Sequence, residues 1–266
     1  MKPATEILLI RVNGDRTEDM VDLVATEIAF TLIVNDEVLV SLLCSPIELD
    51  AMAVGFLCSE GLLRDRESLL GVDVDERNFT VKVRIKDLDQ NWQKNFNQKT
   101  ITSGCGKGIT FTDPSSLRHL AANRQPIHIS TEKIRELFAD FRGRSELYIQ
   151  TGGVHSAALA DSSGIILFAE DIGRHNAVDK LIGKAFLAAI DLKDKILLSS
   201  GRISGEIMTK VVRNQIPLLI TRTAPTCMSL TYAEEHGVTL IGFARGNRMN
   251  IYTHPHGIIL DNITES

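Results

Sequence analysis

The chain has 266 residues, 44% of them hydrophobic and 24% charged, with a formal net charge of −5. That length holds one large or two ordinary domains with a proper core. An acidic balance argues against a nucleic-acid partner, while leaving room for a local basic pocket. The first residues, MKPATEILLI, lack a signal-peptide pattern, and no apolar run approaches the ~18 residues that span a bilayer. The expectation is therefore no membrane and a cytoplasmic protein. The cysteines lie at 44, 58, 105 and 227 with no CxxC among them. That spacing argues against a disulfide scaffold or a cysteine-rich zinc site, and fits a reducing compartment.

In chain order, EIAFTLIVND and EVLVSLLCS read as strands meeting at the hairpin dipeptide Asn35-Asp36. SPIELDAMAVGFLCSEG then reads as a helix over 46–60. Ser45 and Glu48 fit a capping box, Pro46 the first helical position and Gly61 the stop. Leu49, Met52, Ala53, Phe56 and Leu57 make its apolar face. Residues 79–85 alternate like a half-buried strand, and 86–100 read as a polar loop. The grammar changes near 125, which divides the chain into 1–125 and 126–266. STEKIRELFADF is a helix with Ile134, Leu137, Phe138 and Phe141 on one side. Beyond it come strands 156–160 and 164–169, helix 174–190, strand 195–199, helix 205–214, strand 217–221, helix 226–236 and strand 238–243. Such alternation implies an α/β fold whose sheet is mixed but largely parallel and covered by helices.

Sheets of this kind bind ligands at the carboxyl ends of their strands. Each such junction here carries arginine beside small polar residues: Arg174 in EDIGRHN, Arg202 and the expected N-cap Ser204 in SGRISGE, Arg222 in RTAPTC, and Arg245 and Arg248 in ARGNRMN. Each one alone is explained by a helix end or a surface carboxylate. Together they suit a ligand with several phosphates, at roughly 1.5–3 kcal/mol per charge-assisted hydrogen bond. Neither GxxxxGK[ST] nor a helix-opening GxGxxG is present, so the usual ATPase and dinucleotide signatures are missing.

The other candidate is Cys105, in TITSGCGKGITF, with three glycines in five residues and Lys107 close by. An open loop with a nearby cation favours thiolate and lets another molecule reach the sulfur. A single thiol suits transient carriage of a group, a persulfide being one such cap. Cys44, Cys58 and Cys227 read as packed residues. His155, His254 and His256 lack the H-x-E and P-C-x-x-C companions of a zinc deaminase, so no catalytic zinc is expected. His155 and His175 are left as candidates to line the rim, Asp171 reads as a cap for the following helix, and no serine sits in a nucleophile elbow.

The strings TGGVHSAAL, EDIGRHNAVDKLIG, SGRISGEIM, TRTAPTCMSL and GFARGNRMNIYTHP, with SPIELDAMAVGFLCSEGLL and TSGCGKG, resemble the formate dehydrogenase accessory sulfurtransferase family, the FdhD type. The resemblance implies a small N-terminal α/β domain and a C-terminal cytidine-deaminase-like α/β/α domain without zinc. It implies a carrier that takes persulfide sulfur from a cysteine desulfurase. The sulfur then passes to the molybdenum (or tungsten) bis-molybdopterin guanine dinucleotide that formate dehydrogenase requires, with GDP as a surrogate ligand and a homodimer as the assembly. The carrier cysteine maps onto Cys105, and the cofactor-contacting segment onto Phe243, Ala244, Arg245, Gly246, Asn247 and Arg248. Many members place two cysteines at CxxC spacing in this loop. Here the loop reads C-G-K-G, so only the first has a counterpart and a single persulfide must suffice. Two other roles stay open: a non-catalytic chaperone for the same cofactor, and, by fold analogy alone, a nucleoside-modifying enzyme.

Overall fold

The computed structural model describes residues 1–88, 100–101, 109–110 and 126–261. The sequence reading leaves 4–25 unassigned, yet these residues form a long hairpin. Strands β1 (Ala4–Asn13) and β2 (Arg16–Ala25) pair antiparallel around Gly14, which sits at φ 63. The two-residue loop is Gly14-Asp15, and glycine at its first position supplies the positive φ that such a tight hairpin needs. Strands β3 (Ile28–Val34) and β4 (Glu37–Cys44) follow, joined as expected through Asn35 and Asp36, at φ 46 and 68. Positive φ at both positions is what a type I′ turn requires. With β5 (Leu69–Asp75) and β6 (Thr80–Ile85) they form a sheet of order β4-β3-β6-β5, in which only β3 and β6 run parallel.

Helix α1 spans Leu49–Glu60, three residues shorter at its start than 46–60. Ser45 does not cap it. Its N–H donates to Asp171 Oδ2 at 3.0 Å and its Oγ accepts from the Ile172 N–H at 3.1 Å, so both groups are engaged with the far end of the chain. Glu48 takes the N-cap position in left-handed conformation, φ 55, without a side-chain cap. Gly61 ends the helix at φ 77, as expected. The helix is also buried all round: Ala51, Val54 and Cys58 are enclosed along with the anticipated face. A helix apolar on every side needs neighbours on every side. Here they are the four-stranded sheet and α4 (Arg174–Leu187). A Cβ at Gly55 would stand 1.7 Å from the Asp179 carbonyl oxygen, and one at Gly183 would stand 1.9 Å from that of Ala51. Glycine at these two sites is what allows the backbones to meet.

The second half begins with β9 (Ile129–Ser130) and α2 (Thr131–Gly143), capped by Ser130, whose Oγ accepts from the Lys133 N–H at 3.0 Å. After the short α3 (Glu146–Thr151) come β10 (His155–Ala160), β11 (Ile165–Asp171), α4, β12 (Ile196–Ser199), α5 (Gly205–Arg213), β13 (Leu218–Thr221), α6 (Cys227–Glu235), β14 (Thr239–Arg245), β15 (Arg248–Thr253) and β16 (Ile258–Ile259). The sheet has order β11-β10-β12-β13-β14-β15. It is not largely parallel: only β12–β13 and β13–β14 pair that way, and the other three pairings are antiparallel. Short turns join β10 to β11 and β14 to β15, and a short turn can only return the chain antiparallel. Even so, β11, β12, β13 and β14 share one direction, so their carboxyl ends lie on one rim. One face of the sheet packs Leu159, Leu197, Leu219 and Leu240 into a core shared with α1, α4 and α5. The other packs Ala158, Leu198, Ile220 and Ile241 against Ile134, Leu137, Phe138 and Phe141 of α2. Among the described residues no helix is long and apolar enough to cross a membrane.

Candidate functional site

At the rim, β14 ends on Arg245, Gly246-Asn247 make the turn, and Arg248 opens β15 directly opposite Arg245. The ladder slips between Gly242 and Arg245, and Phe243 in the slip has φ 53. A bulky residue there is strained, and such strain persists only where the surroundings fix it. Two contacts do so: the Phe243 N–H donates to the Thr223 carbonyl at 3.0 Å, and the Arg248 guanidinium stands 5.5 Å above the Phe243 ring. Arg245 Nε in turn donates to the Arg222 carbonyl at 2.9 Å, tying the β13 junction to the turn.

The turn borders a cleft of about 290 Å³ lined by Arg222, Ala244, Arg245, Gly246, Asn247, Arg248 and Met249 on one side and Ile134, Arg135, Phe138, Ala139 and Arg142 of α2 on the other. Ala244 is buried against α2 and forms part of the floor. Arg135 pairs with Asp261 at 2.8 Å; among the described residues the other four arginines pair with no carboxylate. Guanidinium groups gathered without counter-charge repel one another and favour an anion between them.

Further along the rim, the β11, β12 and β10 ends meet. A Cβ on Gly201 would stand 2.9 Å from Arg174 Cβ, so this glycine lets the arginine lie against the backbone. Arg174 Nε is buried with no hydrogen-bond partner among the described residues, a donor that an incoming acceptor would satisfy. His155 Nδ1 is 3.3 Å from Ser200 Oγ. Burial first, then Arg174 and His175, push the His155 pKa below its ordinary value, which keeps the ring neutral at pH 7. His175 Nε2 lies 3.0 Å from Glu206 Oε2, and Ser204 caps α5. Arg202 is exposed. Asp171 does not cap α4, whose N-cap is Gly173. It is fully buried, accepts from the Gly173 N–H at 2.9 Å and pairs with Lys180 at 2.6 Å.

The structure thus brings Arg222, Ala244, Arg245, Gly246, Asn247 and Arg248 around one cleft, with Phe243 beneath Arg248. Arg174, Arg202 and Ser204 stand at the junctions along the rim, outside that lining. Cys105 lies outside the described residues; on either side of its loop, β7 (Thr100–Ile101) and β8 (Ile109–Thr110) pair antiparallel. Reading the sequence missed Arg135 and Arg142, which sit seven residues apart on α2. That two-turn spacing was the available signal, but it looks the same on any solvated helix face. Among the described residues no group of three or more His, Cys, Asp and Glu stands together to hold a metal.

The thiols differ sharply. Burial, reinforced by Asp171 for Cys44 and by Asp179 for Cys58, pushes both pKa values up to about 12, so neither forms thiolate at neutral pH. Cys227, expected to be packed, is instead exposed. It opens α6, where Cys227 and Met228 are exposed while Ser229, next in the same turn, is buried.

The family model for FdhD/NarQ matches residues 25–259. The chain belongs to the FdhD/NarQ family. It is 40% identical over 251 residues to the sulfur carrier protein FdhD of Wolinella succinogenes, covering 94% of this chain and 87% of that one. To the sulfur carrier protein FdhD of Bacillus subtilis it is 36% identical over 237 residues, covering 89% and 90%. A crystal structure of a formate dehydrogenase accessory protein from Desulfotalea psychrophila superposes with a TM-score of 0.81 at 22% identity, over 97% of this chain and all of that one, and shows that the two share a fold.

Proposed function

We propose that this family member is a sulfur carrier serving formate dehydrogenase. It would take persulfide sulfur from a cysteine desulfurase onto Cys105 and pass it to the bis-molybdopterin guanine dinucleotide complex of molybdenum or tungsten. The observation that carries the binding half is the cleft: four guanidinium groups without carboxylate partners among the described residues, beside an aromatic ring and a backbone turn. The substrate's nucleotide arms present phosphates for the arginines, and the Arg248 guanidinium, held over the Phe243 ring, offers a planar cation against which a base can pack. Arg174, whose buried Nε has no partner among the described residues, is a further donor along the rim.

The carrying half rests on the loop sequence and the family. Attack of the Cys105 thiolate on a donor persulfide forms one S–S bond as another breaks, leaving the donor's thiolate and a persulfide on Cys105, with no net oxidation. The outer sulfur is then the transferable atom, and no second thiol is required to hold it. Cys44 and Cys58 are unsuited to the role because their thiols stay protonated.

Complementation tests this reading in a bacterial strain lacking its own family member. The wild-type chain should restore formate dehydrogenase activity, and Cys105→Ala should not. Full restoration by Cys105→Ala at equal protein levels would remove the carrier role and favour a non-catalytic cofactor chaperone.

A further inference from the structure

The cleft has two walls, and the rim motifs supply only one of them. The other is α2, where Arg135 and Arg142 lie two turns, about 10 Å, apart along the axis. Their surroundings are opposite. Arg135 donates to Asp261 Oδ2 at 2.8 Å, and the same oxygen accepts from Thr131 Oγ1 at 2.5 Å. Asp261 is brought there by β16, which runs parallel to β9 just ahead of α2. The hydrogen bond from Thr131, with Arg135 beside it, holds the Asp261 carboxyl below the usual carboxylate range, so it stays charged at neutral pH. Arg142 is exposed, lines the cleft, and pairs with no carboxylate among the described residues.

Among the described residues, one end of the α2 wall is therefore neutralised and the other is not. We propose that Arg142 is a phosphate-binding residue of the cleft, and that Asp261 sets the cleft's polarity by occupying Arg135. A nucleoside diphosphate would then lie with its base toward the Phe243–Arg248 pair and its phosphates bridging Arg245 and Arg142. This rests on the reading that the cleft takes the nucleotide phosphates of the substrate. Arg142 grips the phosphates from the wall opposite the turn, so it discriminates by phosphate count and not by base.

Calorimetry with GDP and guanosine on the full chain tests it, comparing Arg142→Ala, Arg142→Lys, Arg245→Ala and the double variant Arg135→Ala with Asp261→Asn. Losing one charge-assisted contact should weaken GDP roughly tenfold or more for Arg142→Ala, while guanosine binding changes less than about twofold. Arg142→Lys should recover part of the loss, since it keeps the charge but not the fork. The double variant Arg135→Ala with Asp261→Asn, which removes both charges and leaves no bare carboxylate at the cleft, should cost less than about threefold, because the two charges already cancel. If Arg245→Ala weakens GDP more than tenfold and Arg142→Ala leaves it unchanged, the role of Arg142 is overturned and the nucleotide cleft stands. If the double variant Arg135→Ala with Asp261→Asn costs as much as Arg142→Ala, the assigned polarity is overturned. If neither Arg142→Ala nor Arg245→Ala changes GDP affinity, the cleft reading itself fails.

Discussion

Gly183→Ala isolates the contact that joins α1 to α4. The added Cβ would stand 1.9 Å from the Ala51 carbonyl oxygen and 2.8 Å from the Gly55 nitrogen, both backbone atoms that no side-chain rotation can clear. A tolerable carbon–oxygen approach is about 3.3 Å, so the helices must part by about 1.4 Å. Residues that fill this layer, such as Met52, Phe56, Val178 and Leu181, would lose contact as they separate. Overpacking costs typically 1–3 kcal/mol, and a clash of backbone on both sides places this case near 3 kcal/mol. For a chain of this size that lowers Tm by about 6–12 °C. Gly143, with nothing within 4 Å of its added Cβ and no positive φ, supplies a control of opposite sign. Gly143→Ala should stabilise by about 0.4–1 kcal/mol through the unfolded state. Urea and thermal unfolding followed by circular dichroism measure both. A Gly183→Ala variant within about 0.5 kcal/mol of wild type, the range of surface substitutions, would refute the backbone-to-backbone approach.

Two further outcomes follow from the titrating groups. His155, whose pKa is lowered mainly by burial, should titrate in NMR below the ordinary histidine value of about 6.5. A lowered folded pKa means that its contribution is present above the unfolded pKa and is lost as pH falls through the folded one. Stability should therefore drop on acidification, and His155→Gln should flatten that part of the profile; a ring titrating above 6.5 contradicts the burial argument. In thiol labelling of the native protein, Cys227 should react, whereas Cys44 and Cys58 should react only after unfolding. Equal labelling of Cys44 in the native state would show that the interface between β4 and α4 opens readily.

Local chemistry made much of the fold legible. Asn35-Asp36 announces a tight hairpin by itself, and Ile134, Leu137, Phe138 and Phe141 announce a helix, since each signal and its partner lie within a few residues. Long-range commitments were not legible. Ser45 reads as a cap because a serine three residues before a glutamate usually is one, but its real partners lie 126 and 127 residues away. Strand direction failed for a similar reason: the turn at Gly246-Asn247 returns the chain as β15, antiparallel to β14, and no strand was expected beyond 238–243. The rim survived that error because β11, β12, β13 and β14 keep one direction. The sequence motifs show the β-strand wall of the cleft, but the α2 wall needed coordinates, because only packing decides which face of an amphipathic helix meets a ligand.

Mass spectrometry of Cys105 is the most direct test of sulfur carriage. The protein, in a Cys227→Ser background that removes the one exposed thiol among the described cysteines, would be incubated with a cysteine desulfurase and cysteine. Alkylation and peptide mapping would follow. The prediction is one added sulfur atom on the peptide containing Cys105, and none on those containing Cys44 or Cys58. An unmodified Cys105 under conditions that load a known carrier, or a persulfide found only elsewhere, would contradict it.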